Sequence, residues 1–399
     1  MSPVSRGRKP KKNKKAKNRP SQPRRQPRPD WFDQATAAVL DGAATLTLAV
    51  SPSDLQQRTA ELVGEQLHWA LYDIRMGLHF SRWFIELVAA TDRARLTAEG
   101  DERLRLDLLR HGLVAIAPYT REGIVEAIGT PSPADGDGVP SWAHDTRAVQ
   151  ATGDVVRLVD TYGTRFGVIA TYRYPGEADT SAYLFDVVSD STPTLAGAGV
   201  YDDTAQAEAA WRAAVGESAD AAVSRPVENG DELACLVDFA RDLMGDETRE
   251  VLNEHFRVEN RILKLALALE ERGIDLPDGE YFRGDHLSMA AEFTDWHVQR
   301  FGLAPDPDDV DVLADEWSQG IIGETAYGVS PGRARVASLL IGDMYEPDHA
   351  RAAIALLPLW STWLAERADL PAPLREQVLA AAEKAATHKP RLSGSEAFL

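Results

Sequence analysis

The chain has 399 residues, 44% of them hydrophobic and 26% charged, with a net charge of −19. That length and balance supply apolar surface for two or three cores and exclude a wholly disordered chain. The one cysteine, Cys235, excludes an intramolecular disulfide and any zinc site that needs two thiolates.

Residues 1–30 hold twelve Lys/Arg and one acid, Asp30, a charge of +11 that leaves −30 on the rest of the chain. Their hydrophobic residues are Met1, Val4 and Ala16 alone. Burial therefore cannot offset a backbone ordering cost of about 1–2 kcal/mol per residue. The segment is expected to be a disordered basic arm, and without an apolar stretch behind its charges it does not read as a secretory signal.

From Trp31 the character changes. Asp30 is a candidate N-cap, and Trp31, Ala35, Val39 and Leu40 recur at helical spacing. Beyond Ser53, the positions Leu55, Leu62, Val63, Leu67, Ala70, Leu71, Ile74 and Leu78 form an apolar stripe that must face a core. Helical patterns continue over Trp83 to Leu96, Glu102 to Ala117 and Arg121 to Ile128, with Gly129 as a stop. Residues 31–129 thus read as a helical region, and the Pro, Gly, Ser and Asp of 130–146 as a linker.

Residues 147–225 read as an α+β module. The runs Val155 to Tyr162, Gly167 to Tyr174, Ser181 to Val188 and Thr194 to Tyr201 predict a four-stranded antiparallel meander. A helix over Thr204 to Val215 should cover one face, with Trp211 on the sheet. Glycines in Leu195 to Gly199 mark a bulge or a close crossing.

Residues 226–386 read as a C-terminal helical region. Its helices are predicted at Asp231 to Met244, Thr248 to Arg272, Asp285 to Phe301, Asp308 to Trp317, Pro331 to Met344, 347–367 and 371–386, with 387–399 a disordered tail. The fold class that follows is mainly α with a small α+β module, in which helical bundle regions flank a short antiparallel meander plus helix. The most apolar stretch, Ala352 to Ala365, is shorter than the roughly 20 residues that cross a bilayer, so no transmembrane helix and a cytoplasmic location are expected.

The chemistry is concentrated in the arm. Arg6, Arg8, Lys9, Lys11, Lys12, Lys14, Lys15, Lys17, Arg19, Arg24, Arg25 and Arg28 make a polycation that binds phosphate backbones by releasing counterions, without sequence preference. The arm has no aromatic residue for base stacking. A nucleic-acid or ribonucleoprotein partner through the arm and a protein partner for the body are the expectations. A membrane partner is not, because the acidic body repels anionic surfaces.

Other constellations are weaker. His68 and His79, like His286 and His297, stand eleven residues apart. Within a straight helix that is roughly 16 Å along the axis, too far for one metal ion. Glu65 with His68 and Glu346 with His349 have Glu-x-x-His spacing, but Pro347 interrupts the second, and no metal site or cofactor is expected. Neither a Gly-x-Ser-x-Gly elbow nor a Gly-rich phosphate loop occurs, and Cys235 lies in an apolar run, so no catalytic residue is assigned. Ser330 to Arg333 could hold an anion at a helix start, although a Ser N-cap with Pro at N1 accounts for the same residues.

These observations point to a non-enzymatic interaction protein whose arm contacts nucleic acid or ribonucleoprotein. The alternative is an enzyme of unrecognised type with a cleft between the helical regions, in which His286, Glu292 or Arg333 acts.

Overall fold

The computed structural model describes residues 28–70, 80–117, 138–176, 180–236, 248–276, 285–319 and 325–387. Among them are twelve α-helices and one five-stranded antiparallel sheet, a mainly α chain with a small β module. The predicted helix at 121–128, the 130–137 part of the 130–146 linker, the 237–244 part of the helix predicted from Asp231, and the tail beyond 387 lie outside the described residues.

Four helices build the N-terminal bundle: α1 (Trp31–Gly42), α2 (Pro52–Ala70), α3 (Phe80–Arg95) and α4 (Gly100–Ile116). Their stripes meet in one core that includes Phe32, Leu55, Val63, Trp83, Phe84, Leu109 and Leu113. Asp30 stands at the start of α1 with helical backbone angles, but its side chain makes no capping bond. The Pro29 carbonyl instead accepts from Phe32 N at 3.3 Å.

The sheet runs β4-β3-β2-β1-β5. Its strands are β1 (Gln150–Val159), β2 (Arg165–Arg173), β3 (Ser181–Val188), β4 (Thr194–Tyr201) and β5 (Arg225–Pro226). β3 and β4 match their predicted bounds. β1 begins earlier than its apolar run because the pairing with β2 slips between Ala151 and Val155, around Gly153 at φ +81°. A second slip lies opposite the glycine-rich part of β4, between Asp186 and Val187. β5 is new relative to the four predicted strands: it has two residues, and its Pro226 is tolerated because nothing pairs beyond it.

The sheet is covered on both faces, which is why β2 and β3 are apolar almost throughout rather than alternating. On one face, α5 (Thr204–Val215) packs through Ala207 and Trp211 against Leu158, Ile169 and Leu184. Gly167 lets the indole lie flat there, since a Cβ would sit 2.9 Å from Trp211 Cγ. The other face meets α6 (Arg249–Glu270), whose Val258, Leu265 and Leu269 pack with Phe166, Val168, Tyr172 and Tyr183. The opposite side of α6 sends Leu252 and Phe256 into the N-terminal core. This helix is therefore wedged between sheet and bundle, although in sequence it opens the C-terminal region.

The C-terminal helices are α7 (His286–Phe301), α8 (Pro307–Ser318), α9 (Pro331–Met344), α10 (Pro347–Ala355), α11 (Leu357–Arg367) and α12 (Ala372–Thr387). The predicted single helix 347–367 is two, because Pro358 has no N–H to continue the first and opens the second. Phe293, Trp317, Trp360 and Trp363 form an aromatic core with ring centroids 5.0–6.2 Å apart. The β1–β2 turn plugs into this core through Tyr162, and Val329 N donates to the Tyr162 carbonyl at 2.9 Å. Gly328 permits the contact: a Cβ there would lie 2.7 Å from the Gly163 carbonyl oxygen.

Candidate functional site

Arg28 is the one arm cation within the described residues. Arg6, Arg8, Lys9, Lys11, Lys12, Lys14, Lys15, Lys17, Arg19, Arg24 and Arg25 lie outside them. Arg28 donates to Glu86 from Nε at 2.6 Å and to Asp33 from both terminal nitrogens at 2.7 and 2.9 Å, over the Phe32 ring at 5.3 Å. This hydrogen bonding holds the Asp33 carboxyl below its usual range and raises the Arg28 pKa further. The root of the arm is thus seated on α1 and α3. Such exposed pairs orient a chain more than they stabilise it.

A second polar site is internal and lies along α6. Its residues 251–261 are buried nearly all round, because bundle and sheet take opposite sides of the helix, so its charges have no route to solvent. Glu254, 4% exposed, accepts from Tyr183 OH at 2.7 Å and from Arg257 Nε at 2.9 Å. Arg257 also reaches Gln57 on α2. Burial and the facing carboxylate push the Tyr183 pKa well up, while Glu254 and the tyrosines keep Arg257 firmly charged against the cost of its burial. One turn on, Arg261 stands over the Tyr172 ring at 4.8 Å and donates to Gln56 Oε1 at 2.9 Å and Tyr174 OH at 3.1 Å. Gln56 in turn donates to the Thr146 carbonyl at 2.8 Å. The set joins α2, α6, two strands and the segment before β1 through side chains and the carbonyls of Thr146 and Arg261.

The helical spacing over Thr248 to Arg272 predicts the helix but not this seam. One signal was available. Leu252 and Phe256 belong to one apolar face of α6, and Val258, Leu265 and Leu269 to another. A helix with two such faces has little surface left for water.

The anion-holding reading of Ser330 to Arg333 has a structural answer. Ser330 caps α9 by accepting from Arg333 N at 3.0 Å, and its hydroxyl donates to Asp190 Oδ1 at 2.6 Å. The Asp190 carboxylate also crowds Gly332, where a Cβ would collide with it. The positive end of α9 is thus occupied by the protein's own carboxylate. Burial raises the Asp190 pKa, with Ser330 and the nearby arginines opposing that rise.

Arg333 is 1% exposed and donates to the carbonyls of Thr325, Gly328, Trp317 and Ala326, with its guanidinium 4.7 Å from the Trp317 ring centroid. Glu292 accepts from Tyr327 OH at 2.8 Å and from Arg367. His286 is half-buried at the start of α7. No hydrogen bond joins these three to one another. His297 is held by the Leu303 carbonyl at 2.8 Å, Glu65 pairs with Arg249, and Cys235 is buried. The side chain of His68 and all of His79 lie outside the described residues. Among the described residues, no group of three or more His, Cys, Asp and Glu is placed to hold a metal ion.

No family model, curated protein or solved structure matches this chain.

Proposed function

We propose that the chain is a non-enzymatic, cytoplasmic interaction protein. Its basic arm contacts nucleic acid or a ribonucleoprotein without sequence specificity, and its acidic body carries the surface for a protein partner. The observation that supports this reading is the segregation of charge, +11 on residues 1–30 against −30 on the rest. A polycation of this density binds phosphate backbones by counterion release, and the acidic body confines that contact to the arm. The seat of Arg28 on Asp33 and Glu86 gives the arm a fixed point of departure from the body. Among the described residues, no helix is long and apolar enough to cross a membrane.

The test compares the full chain with one lacking residues 1–27, which leaves Arg28 on its seat. Fluorescence anisotropy with mixed-sequence DNA and RNA at low salt should show binding by the full chain alone. Equal binding by both proteins, or binding by neither, contradicts the reading.

A further inference from the structure

The two edges of the sheet are finished differently. β5 ends one side with two exposed residues, Arg225 and Pro226. A short strand, a charge and a proline each keep a sheet edge from pairing with another chain. β4 ends the other side with eight residues, Thr194–Tyr201, and among the described residues no strand or backbone hydrogen bond takes its outer edge. From Ser191 to Tyr201 there is no charged residue, although 26% of the chain is charged, and Pro193 stands before the strand rather than in it. Ala198 and Val200 pack with the core on the α6 side and Tyr201 with the core on the α5 side, so the faces are used and the edge remains.

One protective device is present. The pairing with β3 passes from Gly197 opposite Asp186 to Leu195 opposite Val187, so Ala196 is an extra residue and the strand bends there. Beyond the bend, Gly197 to Tyr201 pair with Asp186 to Ala182 without a slip. These residues complement themselves. In an antiparallel pair about a two-fold axis at Gly199, Gly197 faces Tyr201 of the second copy and Ala198 faces its Val200, so a large side chain meets a small one at each position. A ring set over a cross-strand glycine is one of the pairings that hold an edge in register. Charge selects the occupant. The body carries −30, so a second copy can approach only along a neutral stretch, and this edge is one. A basic peptide calls for carboxylates along the strand and a nucleic acid for cations, and the strand has neither. Asp202 and Asp203, which follow it, fall opposite Ala196 and Leu195 of the second copy and not opposite each other.

We propose that the chain forms a symmetric dimer in which β4 pairs antiparallel with β4 of a second copy, joining the two five-stranded sheets into one continuous sheet. The contact is isologous, with the same strand supplied by both copies, and it closes without leaving a further edge of this kind. Main-chain hydrogen bonds supply the attraction, and the alternation of small and large side chains fixes the register.

The experiment measures the mass of the full chain by sedimentation equilibrium in about 0.5 M potassium chloride, where contacts between the arm of one copy and the acidic body of another are screened. Wild type should have twice the mass of one chain. Gly199→Lys sets two ammonium groups directly opposite each other across the axis and should weaken the dimer about tenfold or more. The single chain accommodates that side chain, since a Cβ at Gly199 meets the Tyr201 ring at an ordinary 3.7 Å, and its circular dichroism spectrum should be unchanged. Gly199→Cys reads the register itself. Residues directly opposite in an antiparallel pair lie about 4.5–5.5 Å apart, within the reach of a disulfide, so mild oxidation should yield a covalent dimer. Ala205→Cys, exposed on α5, should remain a free thiol, and the buried Cys235 takes no part. A wild-type chain that stays monomeric at about 0.1 mM overturns the proposal. So does a dimer equally tight in Gly199→Lys, or the absence of a cross-link in Gly199→Cys.

Discussion

The interior around α6 and the interior of the C-terminal region are built on opposite plans. The first places two arginines, a glutamate and three tyrosines between a sheet and a bundle, with each contact specified by hydrogen bonds. The second is an apolar aromatic cluster with one buried arginine at its edge, spent on backbone carbonyls. An aromatic core tolerates small shifts in packing, whereas a charged seam holds only when every partner is present. The polar interior is therefore the place where removing one atom should be felt most.

The largest expected effect falls on the seam. Glu254→Ala leaves Arg257 charged and uncompensated and should cost about 3–5 kcal/mol in urea unfolding. Replacing Glu254 and Arg257 together by Leu and Met should cost little or even stabilise, which would show that the pair serves specificity rather than stability. A double replacement as damaging as the single one would remove the distinction between the two interiors.

Arg333→Met tests the other side. It strips several carbonyls of a charged donor and should cost about 2–4 kcal/mol. The loss should appear in hydrogen exchange of α8 and α9 before it reaches the sheet. Uniform loss of protection across the chain would mean that the two interiors unfold as one unit. Gly167→Ala pushes a methyl into Trp211 and should cost about 1–3 kcal/mol, read as a lower urea midpoint with an unchanged slope.

A pH dependence adds a finer contrast. His111 on α4 is buried with its ring 4.8 Å from that of His144. Burial, then His144, Arg95 and Arg110, push its pKa down to about 4, with Asp107 opposing. The folded state therefore holds this imidazole neutral at pH values where the unfolded chain protonates it. The stability it contributes is complete above the unfolded pKa of about 6.5 and is lost as pH falls from there toward 4. His111→Leu should flatten the stability profile over that window, and an unchanged profile would assign the acid sensitivity elsewhere. Smallest of all, Arg28→Ala should leave the urea midpoint almost unmoved, because both of its ion pairs are exposed.

Where local rules decide, the sequence was legible. Thr248, Asp285 and Ser330 cap the helices that begin after them, β3 and β4 end at their turn residues, and Trp211 lies on the sheet. Where tertiary contact decides, it was not. The partners of the polar residues of α6 emerge only when the sheet and α2 are seen packed on opposite sides of it, and Arg225 with Pro226 becomes a strand only because β1 offers an edge. α8 was expected from Asp308, but its cap is Asp306, two residues earlier than that start. The arm needed no structure to be recognised, since charge density is a property of composition. The seam could not be recognised that way, since its partners Gln56 and Arg261 stand 205 residues apart.

The most direct measurement of the central claim, that the arm carries polyanion binding, is the salt dependence of RNA affinity for the full chain with Lys11, Lys12, Lys14, Lys15 and Lys17 changed to Gln. Each phosphate contact contributes a slope of roughly −0.7 to −0.9 in log K against log salt. The account predicts that the substituted chain loses about 3 to 5 units of slope while its fold is unchanged. An unaltered slope would place the contact on the body and contradict the account.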